Sequence, residues 1–263
     1  MNVELLVSVM NKDIDRLIRD MHMETDAVII DQCGNNGYEE RQQGNARIRK
    51  YSCDERGIGR SRNRAIDYSE GDICVFSDED IVYEPGYEEK IVREFNALPD
   101  ADFITFNIEV DADRFTYRNT DRHRVKWYNC ARYGAVSFAV RGNVLRSSGI
   151  RFSELFGGGA KYLNGEDSIF LKEIIDRGYR VYASPVTIGR EINGSESSWF
   201  SGIDERFYHD RGVLYAVLYG FFAKPFGIRW LVVGKNVRTE NISFLQAFKF
   251  FSEGVREGRR LGK

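Results

Sequence analysis

Three consecutive acids, Asp78-Glu79-Asp80, follow an apolar run that reads as a buried strand. Like charges gathered at a strand end are costly to keep ionised together. A divalent cation relieves that cost, and hard cations prefer oxygen donors. Alone, the triplet reads more readily as a solvated acidic turn, and only its place at the strand end favours the cation. A second acidic pair, Glu166-Asp167, follows Gly165 at a helix start, just beyond the glycine-rich Phe156-Gly157-Gly158-Gly159-Ala160. The helix dipole favours acids there whatever they do. A carboxylate held ionised at that place can also act as a general base on an acceptor hydroxyl, with the glycine loop closing over substrate. A third segment, Gly57-Ile58-Gly59-Arg60-Ser61-Arg62-Asn63-Arg64, puts small residues and three arginines at another helix start. That suits an anion, or simply makes a solvated basic helix. Its glycines do not match GxGxxG and no GxxxxGK[ST] occurs, so a dinucleotide fold and a P-loop are set aside.

Positioning these residues requires a strand-and-helix scaffold. The first half of the chain alternates short apolar runs with helical patterns, the signature of an α/β fold around a mostly parallel sheet. Strands are expected at residues 4–9, 27–30, 47–51, 72–76 and 102–110, and later at 136–140 and 180–183. Helices are expected at 11–21, capped by Asn11, then at 59–68, from Pro85 to about 98, at 143–148 and from 165 to about 177. Ligands in open α/β sheets bind beyond the carboxyl ends of strands. The residues expected at those ends are Ser8 to Asn11, Asp31-Gln32 and Asp78-Glu79-Asp80.

Composition narrows the function classes. The chain has 263 residues, 42% of them hydrophobic, with a formal net charge of −2, so neither disorder nor a global electrostatic case for nucleic-acid binding is supported. The charge is uneven: from Ser201 onward there are 11 Lys and Arg against 6 Asp and Glu. Cys33, Cys53, Cys74 and Cys130 show no CxxC spacing, which argues against a zinc site or a disulfide framework. No basic segment followed by an apolar run marks the first ten residues as a signal peptide. The longest apolar run, residues 213–223, is shorter than the roughly 18 residues that span a bilayer. The expected location is cytoplasmic, with contact at the inner face of the plasma membrane as one reading of the tail.

The ordered set of Ser8-Val9-Met10-Asn11, Asp31, Gly59-Arg60-Ser61-Arg62-Asn63, Ser77-Asp78-Glu79-Asp80, Phe156-Gly157-Gly158-Gly159 and Gly165-Glu166-Asp167 resembles glycosyltransferase family two, nucleotide-sugar-dependent enzymes of the GT-A fold and of bacterial surface-polysaccharide type. The resemblance covers about residues 1–200. It implies that Ser8, Asn11 and Asp31 hold the nucleoside and that Arg62 lies near the nucleotide. It further implies that the DxD segment binds ribose and metal-diphosphate, with Asp80 foremost and Asp78 second as ligands of Mn2+ or Mg2+, and Asp78 and Glu79 nearer the sugar-nucleotide. Asp167 becomes the base, with Glu166 beside it, in a single inverting displacement. The partners implied are a nucleotide-sugar donor, UDP-linked, and a glycan or lipid-linked acceptor. Gln32 after Asp31 departs from the longer acidic segment of many relatives and leaves the nucleoside contacts open.

Two further residues carry open readings. His209 is a third metal ligand or a packing histidine, and Trp199 stacks on an acceptor sugar or packs at a helix boundary. Residues 201–263 form a helical, basic and aromatic extension outside the resemblance. They read either as an interfacial attachment to anionic lipid or as a subdomain packing on the core or on another subunit of a homo-oligomer. Two alternatives to the transferase stand. A sugar-phosphate nucleotidyltransferase would carry a glycine-rich loop straight after the first strand, where Ser8-Val9-Met10-Asn11-Lys12-Asp13 has none. A non-catalytic glycan-binding or scaffold protein would not need Asp78, Asp80 and Asp167 intact.

Overall fold

The computed structural model describes residues 1–110, 117–192, 202–234 and 241–261. At its centre is β1 (Val3–Val9), every residue of which is buried. Burial on both faces is why the sequence VELLVSV is a continuous apolar run broken only by Glu4 and Ser8. Parallel neighbours flank it: β2 (Asp26–Asp31) on one side and β5 (Ile73–Asp78) on the other, with β4 (Ala46–Ser52) parallel to β2. β3 (Gly37–Gln43) closes one edge as an antiparallel hairpin with β4. Beyond β5 the sheet is mixed. β9 (Phe138–Arg141) runs antiparallel between β5 and β7 (Phe103–Glu109), β10 (Val181–Glu191) is parallel to β7, and β6 (Ile81–Tyr83) forms the other edge. The two-residue β8 (His123–Arg124) pairs with β10.

Helices cover both faces. On one, α1 (Ile14–Asp20) and α3 (Tyr87–Ala97) bury Leu17, Ile18, Ile91 and Phe95 against Leu5, Val7 and Ile29. On the other, α2 (Ile58–Tyr68), α4 (Gly142–Ser147) and α5 (Glu166–Asp176) bury Ile66, Leu145, Phe170 and Ile174 against Leu6, Val28 and Phe76. Side chains alternate along a strand, so Ser8 and Asp78 share the α2/α5 face with Leu6 and Phe76.

Two expected helix starts are corrected. Asn11 does not cap α1: it sits in the left-handed region (φ 56°), a conformation asparagine tolerates. The cap is Asp13, extended, whose carboxylate accepts from Arg16 N. Pro85 is not the first helical residue either. Gly86 follows it at φ 70° and α3 begins only at Tyr87.

The C-terminal helices are α6 (Glu205–Tyr219), α7 (Ala223–Val233) and α8 (Phe244–Leu261), with a 3-10 turn at Gly220–Phe222. Val213, Leu214 and Leu218 of α6 pack on Phe156 and Tyr162, beside the glycine-rich loop. The helical stretch Glu205–Val233 is, by length and composition only, long and apolar enough to cross a membrane. The apolar run counted along the sequence ends at Lys224-Pro225, whereas the helix continues through them.

α6 and α8 cross closely along a glycine seam. A Cβ on Gly254 would meet the His209 carbonyl oxygen, and one on Gly212 the Phe251 carbonyl oxygen. Helix propensity alone favours alanine over glycine by about 1 kcal/mol. Gly254→Ala is nevertheless expected to destabilise the protein by about 1–3 kcal/mol, because backbone must shift to admit the methyl group. Urea unfolding checks the sign.

Candidate functional site

The carboxyl ends of β1, β2 and β5 are knitted together before any ligand arrives. Ser8 Oγ is 2.8 Å from Ser61 Oγ on α2. Asp31 is buried, and its Oδ1 accepts from Asn11 N at 2.6 Å while its Oδ2 pairs with Lys50 Nζ at 3.0 Å. Glu79 accepts from Met10 N at 2.9 Å and pairs with Lys12 at 3.2 Å. Asp31 and Glu79 therefore both hold the loop after β1 in place. Gln32 Oε1 accepts from Gly57 N at 2.7 Å, tying the strand end to the start of α2.

The hub is Arg62. Its side chain is only 4% exposed, and it lies 5.3 Å from the Phe152 ring centroid. Nη1 donates to Glu166 Oε1 at 3.0 Å and to Asp167 Oδ1 at 2.6 Å, and Nη2 donates to Asp78 Oδ1 at 3.3 Å. One guanidinium thus joins acids from β5 and from α5. Helical spacing points Arg62 inward: Gly59, Ser61, Arg62, Ala65 and Ile66 are the buried face of α2. Asp167 is fixed further by Ala135 N, which donates to Oδ2 at 3.0 Å.

One cation does not balance three carboxylates. Burial pushes the Asp78 carboxyl up, and Arg62 only partly opposes it. The Asp167 carboxyl is pushed up to about 7, first by burial and then by the neighbouring Glu166 charge, again against Arg62. Arg62 is raised in spite of its burial, because Asp167, Asp78 and Glu166 together outweigh the desolvation. The pocket therefore favours additional positive charge.

Two cavities flank this hub. The glycine-rich loop bends over the start of α2, with Gly158 O accepting from Ile58 N at 3.1 Å. Between them, Gly57, Arg60, Glu154 and Gly159 line a space of about 110 Å3. Gly157 holds φ 99°, and a Cβ there would come within 2.7 Å of the Glu166 carboxyl. Only glycine lets the loop lie against that acid. On the other side, Tyr117, Arg132, Tyr133, Gly134 and Glu191 line a cavity of about 190 Å3. Arg132 stacks 4.9 Å from the Tyr117 ring, which meets Tyr133 edge-on at 5.8 Å. Gly134 and Ala135 also contact Asp167, so the base candidate borders this cavity.

Sequence patterns singled out Arg62, Asp78, Glu166 and Asp167, and the structure brings them together. They gave no sign of Lys50, Ala135, Arg132 or Tyr133, none of which stands in a motif; Ser61 stands in one, but its contact with Ser8 was not legible there. Among the described residues, no group of three or more His, Cys, Asp or Glu could hold a metal. Fewer protein ligands suit Mg2+ or Mn2+, which bind through one or two carboxylates plus substrate phosphates. The donors available near Asp78 and Asp80 are carboxylate oxygens in a net negative pocket, so the residues fit such an ion. His209 is engaged elsewhere, 3.1 Å from Asp210 and 3.3 Å from Glu257 on α8. Trp199 lies outside the described residues.

Comparison with known proteins gives the following. The profile of the family described as Glycosyl transferase family 2 matches residues 8–153. No curated protein matches the chain in sequence. Among solved structures, S. aureus TarS 1-349 in complex with UDP-GlcNAc is similar at a TM-score of 0.58 and 14% identity, over 88% of this chain and 72% of that one. TarS 1-349 in complex with UDP is similar at 0.62 and 12%, over 98% and 82%. Against the longer S. aureus TarS chain the TM-score is 0.57, and the match spans 39% of that chain. At these identities the likeness is one of fold.

Proposed function

The chain belongs to glycosyl transferase family 2, and from that premise we propose that it moves a sugar from a UDP-linked nucleotide sugar to a hydroxyl of a glycan or lipid-linked acceptor. The transfer is a single inverting displacement assisted by Mn2+ or Mg2+. The observation that carries this reading is the buried Arg62, which holds Asp78 at the end of β5 against Glu166 and Asp167 at the start of α5. The fold shared with UDP and UDP-GlcNAc complexes of TarS supports the choice of donor.

Each group then has a task. The donor lies across the ends of β1, β2 and β5, where Ser8, Asn11 and Asp31 shape the nucleoside end, and Asp78 and Glu79 the sugar-diphosphate end. Asp167 faces the cavity of Tyr117, Arg132 and Tyr133, which receives the acceptor. As the acceptor oxygen bonds to the anomeric carbon, its proton passes to Asp167 and the bond from that carbon to the diphosphate oxygen breaks. Arg62 and Ala135 N keep the Asp167 carboxylate aimed throughout. Glu166 holds the charge that keeps Asp167 basic. Asp80 and Asp78 would hold a divalent ion, which would supply positive charge to the departing diphosphate.

A thermal-shift panel of nucleoside diphosphates and nucleotide sugars, with and without Mn2+, tests donor and metal together, since a ligand of the native state raises Tm. UDP-sugars are expected to raise Tm only with the metal, and Asp80→Ala is expected to abolish that metal-dependent rise. A metal-independent response of equal size in both proteins removes Asp80 as ligand.

A further inference from the structure

The outer face of the α6–α7 corner has no role in the transfer site. Phe221 is 83% exposed and Phe222 51%, at a 3-10 turn between two helices. From there an apolar stripe runs along α7 through Pro225, Ile228 and Val232, spaced at four, three and four residues, all on the solvent side. The opposite stripe, Ala223, Gly227 and Leu231, is buried. α7 is thus apolar on both sides, one buried and one exposed. Trp127 and Tyr128, both exposed, extend the patch. Trp127 lies 6.3 Å from Phe222 and 6.1 Å from Phe226, which itself stacks on Tyr219.

Charge identifies what this face meets. No Asp or Glu occurs from residue 211 to residue 234, while Lys224 and Arg229 flank the stripe and Lys126 stands beside Trp127. All three are exposed and have no ion pair among the described residues. A second copy meeting this face about a two-fold axis would set these cations against their own images, which is repulsive. An anionic bilayer offers the complementary surface: acyl chains for the stripe, headgroups for the cations, and an interface that tryptophan and tyrosine favour.

We propose that the α6–α7 corner, with Trp127 and Tyr128, docks the protein peripherally on an anionic membrane. The consequence for substrate rests on the transferase reading. Trp127 and Tyr128 lead within a few residues to Arg132, Tyr133 and Gly134, which line the cavity beside Asp167. Docking therefore brings the acceptor side of the site to the lipid surface, and selects a lipid-linked acceptor over a soluble glycan.

Flotation of the full chain with phosphatidylcholine vesicles, with and without phosphatidylglycerol, is the test, done without donor or acceptor. The wild type is expected to float with the anionic vesicles and about tenfold less with neutral ones. Phe221→Glu/Phe222→Glu and Lys224→Glu/Arg229→Glu are each expected to lose flotation while keeping the donor-induced Tm rise. Wild type that stays unbound, or variants that float equally well, overturns the docking. A wild-type dimer in light scattering that the Phe221→Glu/Phe222→Glu variant splits, with no flotation, overturns it in favour of a second copy. A chain that floats yet transfers no sugar in a separate assay keeps the docking and removes the transferase reading, with the acceptor class that rests on it.

Discussion

Asp167→Asn is expected to lower sugar transfer by about 10²–10⁴-fold, the usual contribution of a positioned general base, while the donor-induced Tm rise stays nearly unchanged. Asparagine keeps the shape and one accepting oxygen, which serves either Arg62 or Ala135 N where the carboxylate serves both, and it cannot take a proton. The same substitution carries a stability signature of opposite sign. The Asp167 carboxyl is raised to about 7 from 3.8, so between those values the folded protein binds more protons than the unfolded one. Stability is then lost as pH rises through that window. An uncharged asparagine removes the loss, and Asp167→Asn is expected to melt no lower than wild type at pH 8. Activity is expected to run the other way in wild type, with kcat/KM falling as pH drops below about 7 and Asp167 takes up a proton. Transfer by Asp167→Asn at the wild-type rate would displace Asp167 from this role.

Arg62→Met should do the greatest structural damage of any single change at the site. Methionine fills much of the volume beside Phe152 but leaves Asp78, Glu166 and Asp167 facing one another without a cation. Removing one partner from a buried ion network typically costs about 3–5 kcal/mol, on the order of 10 °C in Tm for a chain of this size. Without Arg62 the Asp78 and Asp167 carboxyls are raised further, so the folded state holds still more protons than the unfolded one. The loss is then larger at pH 8 than at pH 5. Donor binding and transfer are expected to fail together, unlike the split for Asp167→Asn. Calorimetry at the two pH values reads the first effect. A Tm equal to wild type at both would mean that the network is not a stabilising hub.

The elements that carry the site could be read along the chain because burial writes itself into sequence. β1, β2 and β5 are apolar runs ending in polar residues, and α2 and α5 begin after glycines. β3 could not be read: Glu39, Glu40, Arg41, Gln42 and Gln43 have no apolar alternation, since the hairpin is an exposed edge held by β4. β6 is three residues long, too short for any period. Within the site, the acids and Arg62 were visible as motifs, but that Arg62 joins the acids to one another was not. Arg62 looks like one of three arginines on a basic helix. Only the fold turns it inward while Arg60 and Arg64 pair with Glu154 and Glu55 near the surface. Asp31 and Glu79 illustrate the converse: both stand where a ligand contact is expected, and both already accept hydrogen bonds from the loop after β1.

The guanidinium that joins Asp78 to Asp167 closes a loop of 105 positions along the chain. During synthesis, the first five strands and their helices leave the ribosome long before α5 does. In that interval Asp78 waits beside a cation with no opposing helix, and the chain can neither position an acceptor nor discharge a donor. On the proposed mechanism, transfer by a growing chain is expected only once the segment bearing Glu166 and Asp167 has docked against Arg62.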